Sequence, residues 1–377
     1  MAKKIFLTGG TGNLGRELLN ELLIKTDLKI YLLIHNTGNG LNKEKLFELL
    51  KLEKNKDFLS RVVICKGDIT KKNLGLNKKV CSELINEIDL FLHAAALTSF
   101  NLPLDKIRRV NVEGTRNLLR LIKKCKNLKK FVFLSTIYVC GKRTGVISEN
   151  EREHKAGFVN TYEQSKYEAE AVVEEFWYEL PISIYRISTL IGNSESGEVT
   201  KFIAPHQALE MIYLGLASMM PGKPDYYIDL IPNDTCAEIV LDLFNNHFES
   251  KKVFHIISGK DKSYNLKEII DQSCYFLARY DSAWGKIDYP KPILVEQETF
   301  ELFIESIKKA DNPIFSIVLN SIKNFAEQLN YPKIFDMNNI REVNPNYEKL
   351  IPHVKEYYPK VVKYCLETNW GKNAKTK

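Results

Sequence analysis

The run Thr8-Gly9-Gly10-Thr11-Gly12-Asn13-Leu14-Gly15 constrains this chain more than any other stretch, because it joins a short apolar strand to the start of a helix. In a strand–loop–helix unit with TGxxGxxG spacing, Gly9 permits the tight turn. Gly12 lets the backbone approach a pyrophosphate, and Gly15 lets the helix pack close to the sheet. The helix N-terminus then offers free N–H groups and a favourable dipole to the phosphates. The pattern predicts a dinucleotide site built on Gly9, Thr11, Gly12, Asn13, Leu14 and Gly15.

Strand-like runs continue at Lys4–Leu7, Lys29–Ile34, Val62–Cys65, Leu90–His93, Phe131–Leu134 and Ile182–Tyr185, with a later one at Val253–Ile257. Helical patterns intervene at about 13–26, 43–55, 105–125 and 161–179. Apolar strands alternating with helices predict an α/β fold, a Rossmann-type doubly wound parallel sheet covered on both faces. The texture changes after about 198. Helical segments near 201–217 and 233–246 flank the break Pro221-Gly222-Lys223-Pro224, and from 265 the chain is mostly helix-compatible. The expected organisation is a dinucleotide-binding domain over 1–198, joined by a strand near 229–258. A mostly helical substrate-binding cap would take 199–228 and 259–377.

Cofactor choice is read at the end of the second strand, where an NAD site places Asp or Glu against the ribose 2′-hydroxyl. Here the chain has His35 and Asn36 and no acid, which favours a 2′-phosphate and hence NADPH over NADH. Asp68 and Ile69 close the third strand, where a short carboxylate suits an adenine amine. Ala94, Ala95 and Ala96 supply small side chains after the fourth, and Asn111 is placed to tie neighbouring strands together. Ile182-Ser183-Ile184-Tyr185-Arg186 forms the sixth strand and leads through Ile187, a further cofactor-binding candidate, to Leu190-Ile191-Gly192 near the expected nicotinamide.

Tyr162 and Lys166 lie four residues apart and so project from one helix face. A phenol with a pKa of ~10 is a poor acid–base catalyst at neutral pH, and a neighbouring ammonium lowers that value. By itself the YxxxK spacing fits an exposed helix face equally well. Thr136 changes the balance: it ends the fifth strand, and parallel sheets bind ligands at the carboxyl ends of strands. Ser135 is the understudy, its side chain directed to the opposite face.

The remaining composition sets bounds. A net charge of +7 suits a lysine-rich solvated surface, or attraction to an anionic cofactor, an acidic carrier or a phosphate-bearing substrate. No basic stripe with interleaved aromatics points to nucleic acid. Seven cysteines, an odd number with no CxxC pair, fit a reducing cytoplasm and give no metal motif. The N-terminus leaves no room for a signal peptide. The most apolar stretch, Ile203 to Pro221, carries His206, Gln207 and Glu210, so no membrane span is expected.

With these motifs in order, the chain resembles the thioester reductase and fatty acyl-CoA reductase (male-sterility) branch of the extended short-chain dehydrogenases/reductases. The likeness rests on Gly-Gly-Thr-Gly-Asn-Leu-Gly at 9–15, Gly-Asp-Ile-Thr at 67–70, His-Ala-Ala-Ala at 93–96 and Asn-Val-Glu-Gly-Thr at 111–115. Ser-Thr-Ile-Tyr-Val at 135–139 and Asn-Thr-Tyr-Glu-Gln-Ser-Lys-Tyr-Glu-Ala-Glu at 160–170 complete it. The resemblance implies NADPH-dependent reduction of an acyl thioester, on a carrier protein or CoA, to an aldehyde or alcohol. Thr136 and Tyr162 would bond the carbonyl oxygen and Lys166 would support Tyr162. The chain departs from the family where Arg is common at His35 and Pro at Ile187. It shows no adenylation domain, so the acyl group is expected on a separate molecule. An epimerase, dehydratase or other carbonyl reductase using the same triad is the first alternative. A non-catalytic dinucleotide-sensing protein is the second.

Overall fold

Seven of the apolar runs hydrogen-bond side by side into one all-parallel sheet in the computed structural model, which describes residues 3–35, 43–52, 56–287, 289–309 and 326–372. They are β1 (Lys4–Thr8), β2 (Lys29–His35), β3 (Val62–Gly67), β4 (Leu90–His93), β5 (Lys130–Thr136), β6 (Ile182–Ile187) and β7 (Val253–Ile256). Their spatial order is β3-β2-β1-β4-β5-β6-β7, which reverses direction between β1 and β4. In an open sheet of this kind the crevice at that switch point, beyond the carboxyl ends of the strands, is the binding position.

The strands read as unbroken apolar runs because both faces are covered. Ile5 and Leu7 of β1 face one core together with Leu18 and Leu22 of α1 (Asn13–Lys25), whereas Phe6 faces the other. The helix expected over 43–55 is a shorter α2 (Lys43–Leu49); α3 (Lys56–Arg61) leads into β3, and α4 (Lys78–Glu87) into β4. That expected over 105–125 is divided at Val112 into α5 (Leu104–Asn111) and α6 (Glu113–Ile122). The second core takes Leu118 and Ile122 of α6 and Ala169 and Val173 of α7 (Thr161–Glu174). The strand expected to end at Ile257 ends at Ile256.

A third apolar cluster gathers α8 (Ala204–Tyr213), a helix over Leu266–Tyr280 and another over Val354–Glu367 around Leu209, Leu277, Tyr357 and Val361. Between them in the chain, α9 (Asn233–Asn246) returns to the first core with Ile239, Val240 and Leu243. Residues 333–351 do not join the third cluster either. Lys333–Phe335 pair in parallel with Gly145–Ile147, and Met337, Ile340 and Tyr347 pack into the first sheet core. The Tyr347 hydroxyl accepts from the Ile257 amide at 2.8 Å and donates to the Ile257 carbonyl at 2.6 Å, finishing the edge beyond β7.

Buried charges fasten these returns. Arg186 on β6 and Glu170 on α7, 1% and 0% exposed, pair through two guanidinium nitrogens, with Nη2 2.8 Å from the carboxylate. The third nitrogen, Nη1, donates to the Glu151 carbonyl at 3.1 Å. Glu149 accepts from the backbone amides of His255 at 2.8 Å and Asn339 at 2.6 Å, and burial pushes its carboxyl up to about 7.

Removing one member of a buried pair strands the other charge. Glu170→Ala is therefore expected to lower the unfolding free energy by about 3–5 kcal/mol in urea titration. Glu149 has the opposite pH signature to a salt-bridged acid. The native chain keeps a proton that the unfolded chain releases between pH 4.5 and about 7, so its contribution falls as pH rises through that window. Relative to Glu149→Gln, the wild-type chain should lose up to about 3 kcal/mol between pH 4.5 and 8, read as the change in the stability difference between the two proteins.

Candidate active site

The glycine loop leaves β1 at Thr8 and enters α1 at Asn13. Gly9 has φ +75°, and a Cβ there would stand 2.5 Å from the Ala94 carbonyl carbon and the Ala95 amide. A Cβ on Gly15 would lie 1.9 Å from the Gly9 carbonyl oxygen. No side chain caps α1 and its first turn has no acid, so its leading N–H groups remain available to an anion. Thr11 and Gly12 are exposed at the tip, Asn13 is half-buried, and Leu14 is buried beneath them. This arrangement fits a pyrophosphate.

Across the switch point, Ala94 and Ala95 are held to β1: the Ala94 amide donates to the Thr8 carbonyl, and the Ala95 amide to Thr8 Oγ1, both at 3.2 Å. Ala96 follows, half-buried, at the same edge. Below them Thr8 Oγ1 lies 2.7 Å from His93 Nδ1, and His93 Nε2 lies 3.1 Å from Thr115 Oγ1. The Thr115 hydroxyl donates to the Asn111 carbonyl at 2.6 Å. It therefore accepts from His93, which puts the imidazole proton on Nε2 and leaves Nδ1 to accept from Thr8. Burial, with Lys166 nearby, pushes His93 down to about 3, so the ring is neutral.

Asn111 does not tie strands together as expected. Its amide grips the backbone of Leu97, accepting from the nitrogen at 2.8 Å and donating to the oxygen at 3.0 Å, and donates to Ser165 Oγ at 2.8 Å. Ser165 Oγ in turn donates to the Tyr162 carbonyl at 2.7 Å. The partner is the helix that carries Tyr162, not a strand.

Thr136 and Tyr162 meet. The Thr136 hydroxyl lies near enough to Tyr162 to draw its phenol downward, and the Phe100 ring lies 5.9 Å from that of Tyr162. Thr136 Oγ1 also accepts from the Tyr138 amide at 3.3 Å. Ile187 is the β6 partner of Thr136 in the register, and the Ser135 hydroxyl is buried with no hydrogen-bond partner. Lys166 lies one turn beyond Tyr162, but its ammonium donates to the Leu134 carbonyl at 2.8 Å and sits 4.0 Å above the Phe133 ring. Burial pushes Lys166 down to about 7. The phenol of Tyr162 is shifted up, by burial and then by Glu163, against the opposing pull of the nearby Thr136 hydroxyl. The expected lowering of Tyr162 by Lys166 is thus not what this geometry produces.

The other cofactor candidates lie at the far side of the switch point. His35 is exposed at the end of β2, its Nε2 3.8 Å from Asp68 Oδ2. Asp68 Oδ1 accepts from the Thr70 amide and hydroxyl at 2.9 and 2.7 Å. Burial raises the Asp68 pKa, but the Thr70 bonds, His35 and Lys71 outweigh it and the net shift is downward. Ile69 is buried against Gly114, and Asn36 lies outside the described residues.

Sequence reasoning passed over Glu163 and Asn233. Glu163 is 2% exposed and accepts from the Val159 amide at 3.1 Å, from Asn160 Nδ2 at 2.9 Å and from the Gln328 amide. Burial pushes it up to about 7. The Asn160-to-Glu163 spacing is a helix-capping signature and is legible in the sequence. Asn233, by contrast, reaches Asn13 from the other end of the chain and leaves no local signal.

A family model described as Male sterility protein matches residues 7–240. Fatty acyl-CoA reductase wat of Drosophila melanogaster is 26% identical over 297 residues, which cover 68% of this chain and 57% of that protein. A linear gramicidin synthase polypeptide of Brevibacillus parabrevis is 30% identical over 268 residues, 69% of this chain but 5% of that protein. The chain therefore spans about half the length of one of these relatives and a small part of the other. Among solved structures, the terminal R domain from the myxalamid PKS-NRPS biosynthetic pathway superposes with a TM-score of 0.80 at 24% identity, covering 98% of this chain and 92% of that one. The reductase domain of a Mycobacterium tuberculosis nonribosomal peptide synthetase gives 0.69 at 18% identity, covering 98% and 92%, which is likeness of fold. Among the described residues, no helix is long and apolar enough to cross a membrane. With the glycine loop and the seven-stranded sheet in one place, the chain belongs to the NAD-binding family described as male sterility protein.

Proposed function

We propose that this protein is an NADPH-dependent reductase of acyl thioesters, taking the acyl group from a carrier protein or CoA and releasing an aldehyde or alcohol. The observation that carries the reading is the proximity of Thr136 and Tyr162 at the carboxyl edge of the sheet, with Lys166 one helical turn away. The name of one relative, a fatty acyl-CoA reductase, supports a thioester as substrate.

A nicotinamide cofactor supplies the hydride when bound, held by the glycine loop, Asp68, Ile69 and Ala94 to Ala96. The chain's own residues do the rest. Two hydroxyls, on Thr136 and Tyr162, converge where a carbonyl oxygen gains negative charge. Tyr162 is the proton donor: a phenol kept protonated by burial is a competent acid toward an alkoxide, which is far more basic. Lys166, whose pKa burial pushes down to about 7, is the residue we assign to anchor the cofactor ribose and, from there, to support that phenol. Proton transfer of this kind contributes ~10²–10⁴-fold, the remainder coming from position and electrostatics.

His35 is the residue we assign to the 2′-phosphate of NADPH. The proximity of Asp68 makes this the sharpest point to test, since that carboxylate both orients the imidazole and opposes a second anion.

The decisive measurement is NADPH oxidation with a panel of acyl-CoA and acyl-carrier thioesters, NADH run in parallel. Free thiol and aldehyde are expected together, and NADPH turnover without thiol release would point to carbonyl reduction instead. Tyr162→Phe should lower kcat by at least about 10²-fold with cofactor Kd within twofold. Retained turnover would remove Tyr162 from the chemistry. His35→Asp should move the NADPH/NADH ratio of kcat/KM toward NADH by about tenfold, and an unchanged ratio would take His35 out of the cofactor site.

A further inference from the structure

Asn233 opens α9 as its first residue, and its place is fixed from both sides. Its backbone amide donates to the Gly192 carbonyl at 2.7 Å, and the neighbouring Asp234 carboxylate accepts from the Ser194 amide at 2.9 Å. The side chain is 2% exposed and points at the glycine loop, where Nδ2 donates to Asn13 Oδ1 at 2.9 Å. The other half of the Asn233 amide, Oδ1, is buried with no partner.

An unsatisfied buried acceptor costs about 1–3 kcal/mol, so the arrangement calls for a reason. Asn13 is the first residue of α1, beside the uncapped N–H groups that suit a pyrophosphate. An asparagine amide offers donors on one atom and lone pairs on the other. With Asn13 Oδ1 engaged by Asn233, the NH₂ of Asn13 has no protein acceptor among the described residues and is left for the anion. With both amides reversed, Asn233 Oδ1 would accept from the Asn13 NH₂, but the Asn233 NH₂ would be left buried and unpaired and the Asn13 lone pairs would turn toward the phosphates.

We propose that Asn233 is a positioning residue for cofactor binding: it locks the Asn13 amide with its donors toward the dinucleotide pyrophosphate. The unmet acceptor is kept on the buried side of the pair so that none faces the anion. Asn233 itself touches no phosphate in this assignment; it acts through Asn13. The inference goes beyond the thioester reading, since it holds for any reaction run on this cofactor.

The test is the dissociation constant for NADPH, measured by fluorescence titration of the intact protein without substrate, on four variants with melting temperature as the control for folding. In N233D the carboxylate only accepts, so Asn13 rotates to donate to it and presents its oxygen to the phosphates. Binding should weaken by about tenfold, the worth of one charge-assisted hydrogen bond. N233A frees Asn13 without inverting it and should weaken binding by about threefold. In an N13L background no amide remains to orient, and adding N233D to it should change the constant by less than about twofold. If N233D does not fold, N233A with and without N13L carries the same comparison. Unchanged affinity in the single variants overturns the proposal. So does an equal loss with and without N13L, which would mark simple local damage or charge repulsion.

Discussion

The carboxyl edge of the sheet depends on one buried polar chain. From the Ala95 amide it passes through Thr8, His93 and Thr115 to Asn111, then through Ser165 to the carbonyl of Tyr162. Each side chain along it, from Thr8 to Ser165, is 2% exposed or less. In so dry a setting every donor must find its acceptor, which leaves few ways to arrange the parts. The glycine loop, the loop after β4 and the helix bearing Tyr162 and Lys166 are thereby set in one frame. His93 can serve as the central link only because it stays neutral, donating on one side and accepting on the other.

A second set of buried polar groups does for the outer half of the sheet what that chain does for the switch point. Arg186 with Glu170, and Glu149 with the amides of His255 and Asn339, join strands, loops and the late C-terminal segment. Asp229 belongs with them, accepting from the Ser188 hydroxyl and the amides of Ser258 and Gly259. Each carboxylate is met by donors whose geometry admits one packing, so ordering these segments depends on charge as well as on apolar area.

Much of this was legible in the chain of letters, and the division between what was and was not is physical. Strand positions, the glycine loop and the Tyr162–Lys166 spacing are local properties, visible as runs and periods over a few residues. Thr136 was singled out because strand ends in a parallel sheet have a defined role, a rule of topology as well as of composition. Asn111 was noticed but given the wrong partner, because a polar residue on a helix says nothing of what faces it. Asn233 and the return of residues 333–351 to the sheet rest on contacts across 90 residues or more, and no periodicity encodes those. The lowered Lys166 and raised Tyr162 were missed for a related reason: their pKa values follow from burial, and burial is a property of the assembled fold.

The pairing of Gly145–Ile147 with Lys333–Phe335, and of Ile257 with Tyr347, has a bearing on how the molecule is made. A ribosome delivers the seven sheet strands long before it delivers these partners. For the time taken to add the ninety or so residues that separate Ile257 from Tyr347, at roughly 5–20 residues per second, the nascent sheet holds an unmet backbone at its β7 side and a Glu149 without the Asn339 amide. Completion of the first core therefore waits for residues 333–351 to emerge, and the interval before it is when the growing chain has most to gain from a chaperone's cover.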